Sequence, residues 1–375
     1  MRRSMQLILF LLFFILTGFT YFHYKYDAPF NYEVINFENR SGIHLINNAP
    51  AIRAFFITNR TFEQSPPAEF KDTNARKLTY GITFVEIPKQ YRMEEYFDDS
   101  KVHLHLYNKN DFIVQLKKSI NKSPSKRLII WVHGFRSNFN KAAALLSRGA
   151  YDLNTEATYL FFSWPSKNSL LFYEQDELME KESAPLLAQF LIQIHQKIPK
   201  AKLMLISHSL GARLICDAFD VLDQQDSWKD KNTEIQEVIM IAPDVNAQDF
   251  DFRFKQQILT MVNRLTVYVA SDDNALLISH FINSSMPLGL PTQFSPDTQL
   301  DEAQSLLTID SLDSHLDIID ATYIIKPEFF KHNYYRSRAL ITDMYWLLNN
   351  PLPTEQRPLY RSKLNPNKNY WILPP

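Results

Sequence analysis

Apolar and polar residues follow one another along the chain in two kinds of block, and the blocks predict the elements. Short unbroken apolar runs stand at Leu128–Val132, Tyr159–Trp164, Leu203–Ile206, Val238–Ile241 and Leu265–Ala270, the form expected of strands buried on both faces. A last strand is expected at Ile318–Ile325. Between these runs, apolar positions three and four apart predict helices over Asn138–Leu153, Ser183–Ile198, about Gly211 to Leu222, and Tyr334–Asn349. Upstream, Ile52–Thr58 and Leu78–Ile87 read as strands, with a polar loop containing Pro66-Pro67 between them. Strands alternating with helices of this length predict β-α-β units, hence an α/β protein with a mostly parallel central sheet and helices on both faces.

The N-terminus breaks this rhythm. Arg2 and Arg3 precede an uncharged apolar run, Met5 to Phe22, close to the roughly 20 residues a membrane-crossing helix needs. The run reads as an uncleaved signal anchor, with a cleaved signal peptide as the alternative. Bulky Tyr21-Phe22-His23-Tyr24 follows it where cleavage would want small residues, which favours the anchor. The charge asymmetry places the N-terminus in the cytoplasm and the bulk of the chain on the extracytoplasmic, periplasmic side; cleavage would instead release a secreted or periplasmic protein. The expected organisation is therefore a signal segment (1–24), an extension whose strands pack on the core (25–105), the main α/β domain (106–350) and an irregular tail (351–375).

Composition narrows the chemistry. Hydrophobic residues make up 45% and aromatic residues 14% of the chain, enough for a large core. Forty basic against 41 acidic residues leave a net charge of −1, without the basic excess of a nucleic-acid binder. Only 7 glycines occur, where average usage would give about 26, and neither G-x-G-x-x-G nor a P-loop pattern is present. The single cysteine, Cys216, excludes an intramolecular disulfide and a cysteine-based zinc site. His103 and His105 share one strand face, a spacing more often structural than metal-binding. No cofactor and no metal is expected.

The strongest chemical signal is Leu203-Met-Leu-Ile-Ser-His-Ser-Leu-Gly211. An apolar strand runs into a serine flanked two residues on either side by small residues, Ser207 and Gly211, and a helix follows. That is the setting of a nucleophile elbow, with Ser209 as nucleophile. A serine needs a base, a group to orient the base, and donors for the developing oxyanion. On such a fold the order is serine, acid, base. The strand Leu265–Ala270 runs into Asp272 and Asp273, either of which can orient the base; Asp244, after Val238–Ile241, is the rival acid. Among the 10 histidines, His332 lies after the last predicted strand and before the last helix, where the base belongs. The backbone N–H of Leu210 comes with the elbow, and the N–H of Phe135, after His133-Gly134 at a strand end, is the second expected oxyanion donor. His133, Gly134 and Gly211 are expected to support that geometry.

These motifs resemble the α/β-hydrolase proteins once grouped as a domain of unknown function, DUF900. They run Phe56-Ile57-Thr58-Asn59-Arg60, Tyr80-Gly81, Trp131-Val132-His133-Gly134-Phe135 and Phe162-Ser163-Trp164-Pro165-Ser166. Tyr173 with Asp176, His208-Ser209-Leu210-Gly211, Ala242-Pro243-Asp244, Asp273-Asn274-Ala275-Leu276 and His332-Asn333-Tyr334-Tyr335 complete them. The resemblance spans about Arg53 to Asn349 and implies the α/β-hydrolase fold, a Ser209–His332–Asp273 triad, and Asp273 rather than Asp272 as the acid. It brings no substrate. The expected activity is that of a membrane-tethered serine hydrolase of the esterase or lipase type, acting on an acyl-containing small molecule or lipid. A peptidase or thioesterase would use the same triad, and a non-catalytic membrane-bound binding protein would keep the same fold.

Overall fold

The computed structural model describes residues 43–46, 49–65, 68–88, 91–93, 101–167, 169–225, 228, 235–283, 285–290, 315–324, 332–349, 351–361 and 370–375. Four strands come first: β1 (Ile43–Ile46), β2 (Ala49–Glu63), β3 (Glu69–Glu86) and β4 (Val102–Tyr107). Strands and helices then alternate as α1 (Lys109–Lys122), β5 (Arg127–Val132), α2 (Phe139–Leu153), β6 (Thr158–Ser163), α3 (Tyr173–Lys197), β7 (Lys202–His208) and α4 (Leu210–Asp223). The chain continues through β8 (Ile235–Ile241), α5 (Lys255–Met261), β9 (Leu265–Val269), α6 (Asn274–Asn283), β10 (Leu316–Asp320) and α7 (Arg338–Asn349), and ends with β11 (Tyr360–Arg361) and β12 (Tyr370–Ile372).

All the described strands join one sheet, ordered β11-β12-β10-β9-β8-β7-β5-β6-β2-β3-β4, with β1 on β2. The pairs from β2–β6 through β9–β10 to β10–β12 are parallel. Successive residues of a strand face opposite sides of a sheet, so unbroken apolar runs feed two cores. Leu128, Ile130 and Val132 of β5 face the core shared with α1, α3 and α4. Ile129 and Trp131 face the core shared with α2 and α7. The α/β prediction therefore matches the observed layers.

The tertiary structure adds to the sequence reading in three places. Residues 49–107 join the central sheet itself: β2 pairs in parallel with β6, from Phe55↔Leu160 to Thr58↔Ser163, and the hairpin extends the same sheet. Phe55 and Ile57 enter one core and Ala54 and Phe56 the other, as in a central strand. Helix α3 begins at Tyr173, ten residues before the predicted start. Its early buried positions include Asp176 and Glu180, acidic residues that interrupt the apolar stripe while keeping helical spacing. The tail is not merely irregular, since β12 pairs in parallel with β10 and Trp371 and Leu373 enter the core. The apolar run at 5–22 lies outside the described residues; among those described, no helix is long and apolar enough to cross a membrane.

Candidate active site

Strand β7 ends at His208 and α4 begins at Leu210, so Ser209 alone makes the turn, at φ 54 and ψ −128. A non-glycine residue held there carries about 1–3 kcal/mol of strain and persists only when its surroundings dictate it. Here they do. Ser209 N–H donates to Ile241 O at 3.0 Å, and Ser209 O accepts from Asp244 N–H at 3.2 Å and Ala212 N–H at 2.9 Å. The neighbouring loops come too close for any side chain. A Cβ on Gly211 would sit 2.5 Å from His133 O and 2.6 Å from Val132 O, and one on Gly134 would sit 2.6 Å from His208 O and 2.8 Å from Ser209 Cβ. Bare backbone at these two positions lets the ends of β5 and β7 meet at the elbow.

His332 Nδ1 and Asp273 Oδ2 are 2.6 Å apart, with the aspartate side chain fully buried and the imidazole 14% exposed. The other oxygen, Asp273 Oδ1, accepts from Ala275 N–H and Leu276 N–H, each at 3.1 Å, in the first turn of α6. Burial works against a charge on His332, but the Asp273 carboxylate, its hydrogen bond and the Asp244 carboxylate outweigh it and raise the pKa above the ordinary histidine value. Asp272, beside Asp273, is only partly buried. Asp244 accepts from Tyr173 Oη and Ser279 Oγ, both at 2.7 Å, and so anchors α3 and α6 to the loop behind the elbow.

The imidazole reaches the elbow through the residue next to the serine. His208 Nε2–H donates to His332 O at 3.1 Å, and the two rings lie 4.5 Å apart. The Tyr335 ring packs edge-on against His208 from 4.6 Å. Burial, the neighbouring His332 and Arg336 keep His208 neutral, its pKa well below the usual value. Ser209 Oγ forms no hydrogen bond to another described residue. The hydrogen bond formed by the His332 ring here is the one to Asp273.

The loop after β5 is oriented by His133. Its Nδ1–H donates to Gly134 O at 2.8 Å. Because a trans peptide sends its C=O and N–H to opposite sides, that bond fixes the direction of Phe135 N–H. The His133 ring stacks on Trp164 with 5.2 Å between centroids, and Trp164 Nε1–H donates to His133 O at 2.8 Å. Burial and the Arg60 guanidinium push the His133 pKa down to about 3, so the ring stays neutral and can donate from Nδ1. Neither Phe135 N–H nor Leu210 N–H donates to another described residue. The Phe135 ring packs edge-on against Tyr173 at 5.2 Å.

Residues 108–350 match the family described as alpha/beta hydrolase of unknown function (DUF900). The chain belongs to that family. The Thr58-Asn59-Arg60 and Tyr80-Gly81 motifs lie upstream of the matched span. An uncharacterized protein of Nostoc sp. is 25% identical over 305 residues, covering 65% of this chain and 79% of that protein. Among solved structures, phospholipase PlaB of Legionella pneumophila in complex with thio-NAD aligns with a TM-score of 0.27 at 13% identity, covering 40% of this chain and 39% of that one. This DUF900 chain thus spans well under half of that phospholipase. A lipase-esterase related protein of Clostridium acetobutylicum aligns with a TM-score of 0.25 at 16% identity, covering 61% of this chain and 91% of that one.

Four residues at the site escaped the sequence reading as individual contributors. His208 holds the backbone of His332, Tyr173 and Ser279 satisfy Asp244, and Arg60 reaches the loop after β5 from β2. His208, Tyr173 and Arg60 stand in motifs quoted above, which was their only signal. Ser279 carries none, because its partner is brought to it by the packing of α6.

Proposed function

We propose that this DUF900 protein is a serine hydrolase acting on acyl, ester-type substrates through Ser209, His332 and Asp273. The carrying observation is the strained Ser209 turn beside an imidazole whose Nδ1 is held 2.6 Å from a buried carboxylate. Asp273 fixes the tautomer of His332, leaving Nε2 free to take a proton. Ser209 Oγ attacks the acyl carbonyl carbon as Nε2 removes its proton, and the carbonyl oxygen becomes an oxyanion. Phe135 N–H and Leu210 N–H stabilise that charge. Collapse expels the leaving group, which takes the proton from His332, and leaves an acyl-Ser209 ester. Water, activated by the same imidazole, then releases the acid and regenerates the serine. That Ser209 Oγ forms no hydrogen bond to another described residue suits this reading, since such hydrogen bonds often tighten only with substrate bound.

A fluorophosphonate probe tests the assignment. Labelling of the wild-type chain at Ser209, lost in Ser209→Ala and in the heat-denatured protein, is the expected result; an unlabelled wild type overturns it. Hydrolysis of a panel of acyl esters, thioesters and peptides then ranks the leaving groups, with esters expected first. We also infer that the apolar run at 5–22 tethers the catalytic domain to a membrane on the extracytoplasmic side. An intact N-terminus together with an active periplasmic reporter at the C-terminus supports that placement, whereas a mature chain starting after residue 20 replaces it with a released protein.

A further inference from the structure

We propose that Arg60, on β2, is a positioning residue that clamps the oxyanion loop at Ser137 and so holds Phe135 N–H in the direction His133 gives it; this rests on the serine-hydrolase reading above. The Arg60 side chain is fully buried, and its donors serve three separate elements. One guanidinium nitrogen pairs with Asp72 on β3. Nε–H donates to Ser163 Oγ at the end of β6 at 2.9 Å. The third, Nη2–H, donates to Ser137 O at 2.6 Å, across 77 residues of sequence.

Ser137 is held from its other side as well. Its N–H donates to Ser166 Oγ at 3.4 Å, and Ser166 Oγ–H in turn donates to the Asp176 carboxylate, which also accepts Lys167 N–H at 2.7 Å. Between this clamp and Phe135 stands Arg136, a non-glycine residue at φ 61. Such a conformation survives only where the flanking structure over-determines it. His133 fixes the peptide before Phe135, and the Arg60–Ser137–Ser166 contacts fix the peptide at the far end of the turn. Burying a guanidinium is costly unless its hydrogen bonds are met. Anchoring β2 to β3 and β6 requires only the Asp72 and Ser163 contacts; the bond to Ser137 O instead serves the loop. The strands upstream of the family match thereby reach the chemistry.

The test compares Arg60→Met, Arg60→Lys and wild type in the full-length chain. Loss of one oxyanion donor costs about 100- to 1,000-fold in kcat; displacement of the donor in Arg60→Met is expected to cost about 10- to 100-fold, with KM within about twofold. Inhibition by a trifluoromethyl ketone, whose serine adduct carries an oxyanion, should weaken in parallel with kcat/KM. Arg60→Lys should recover part of the rate. Hydrogen exchange of residues 134–138 should quicken in Arg60→Met while β7 and α4 keep their protection. Where Arg60→Met does not fold, Ser163→Ala frees one guanidinium bond and is expected to lower kcat more modestly at unchanged KM. Wild-type kcat and loop protection in the variants overturn the clamp and leave the triad standing. A wild-type chain that takes no fluorophosphonate at Ser209 and hydrolyses no ester overturns the triad, and the catalytic role of the clamp with it.

Discussion

The imidazole of His332 and the carboxylate of Asp273 meet at 2.6 Å, although they leave the sheet after different strands, β10 and β9. Parallel pairing of β9 with β10 puts both strand ends at the same edge, and parallel pairing through β8 to β7 puts Ser209 there too. The carboxylate is held by two N–H groups of α6 and is therefore aimed before the imidazole arrives.

The two buried aspartates near the elbow should separate cleanly. Asp273→Asn is expected to lower kcat by about 10,000-fold, the scale of losing the orienting carboxylate of such a relay. Asp244→Asn disturbs the contacts to Tyr173 and Ser279 and removes the lesser of the two carboxylate charges acting on His332; it should cost far less in kcat, showing mainly in thermal stability. Steady-state kinetics with one ester and a melting curve for each variant check both.

The same pair sets a pH dependence. His332 titrates above an ordinary histidine, and in the mechanism proposed above only its neutral form can accept the Ser209 proton. Activity should thus rise with pH through a midpoint above about 6.5 and plateau. The stabilisation contributed by the raised pKa runs the other way: complete below about 6.5 and lost as pH climbs through the folded value. In Asp273→Asn the residual activity should show its midpoint at lower pH. A kcat/KM profile of wild type and variant, with the midpoint unmoved, would count against the coupling.

Glycine substitutions should fall into two groups. Gly134→Ala and Gly211→Ala drive a methyl group against backbone carbonyls 2.5–2.6 Å away, which cannot rotate aside, so each should cost about 1–3 kcal/mol as well as activity. Gly149 lies inside α2, where a Cβ would first meet the edge of Trp131 at 3.2 Å. Ala gains about 0.5–1 kcal/mol over Gly in a helix, so Gly149→Ala should stay near wild type. Urea midpoints of the three variants decide.

The C-terminal tail should prove structural. Arg357 Nε–H donates to Asp343 Oδ1 at 2.8 Å, both side chains are fully buried, and Tyr268 Oη–H donates to the same carboxylate at 2.6 Å. Arg357→Ala strands that charge and is expected to cost about 3–5 kcal/mol by chemical denaturation. Asp343→Asn combined with Arg357→Ala should recover part of the loss.

Much of this was legible before any coordinates. Unbroken apolar runs at Leu128–Val132 and Leu203–Ile206 mark strands buried on both sides, because burial on both faces removes the need for alternation. The elbow was legible because a tight strand-to-helix turn demands small neighbours, and Ser207 and Gly211 supply them. Less could be read where polar residues occupy buried positions. Asp176 and Glu180 hid the first turns of α3, and a buried arginine on β2 carries no periodic signal at all.

Order along the chain determined the fold class and the candidate positions for nucleophile, base and acid, since these depend on local apolar spacing and on connectivity. Partnership was decided only by the tertiary structure. Which carboxylate meets His332, which nitrogen of His133 aims a peptide, and that Arg60 reaches Ser137 depend on distances across the sheet. Strand register sets those distances, and a one-dimensional pattern records register only as a choice of face.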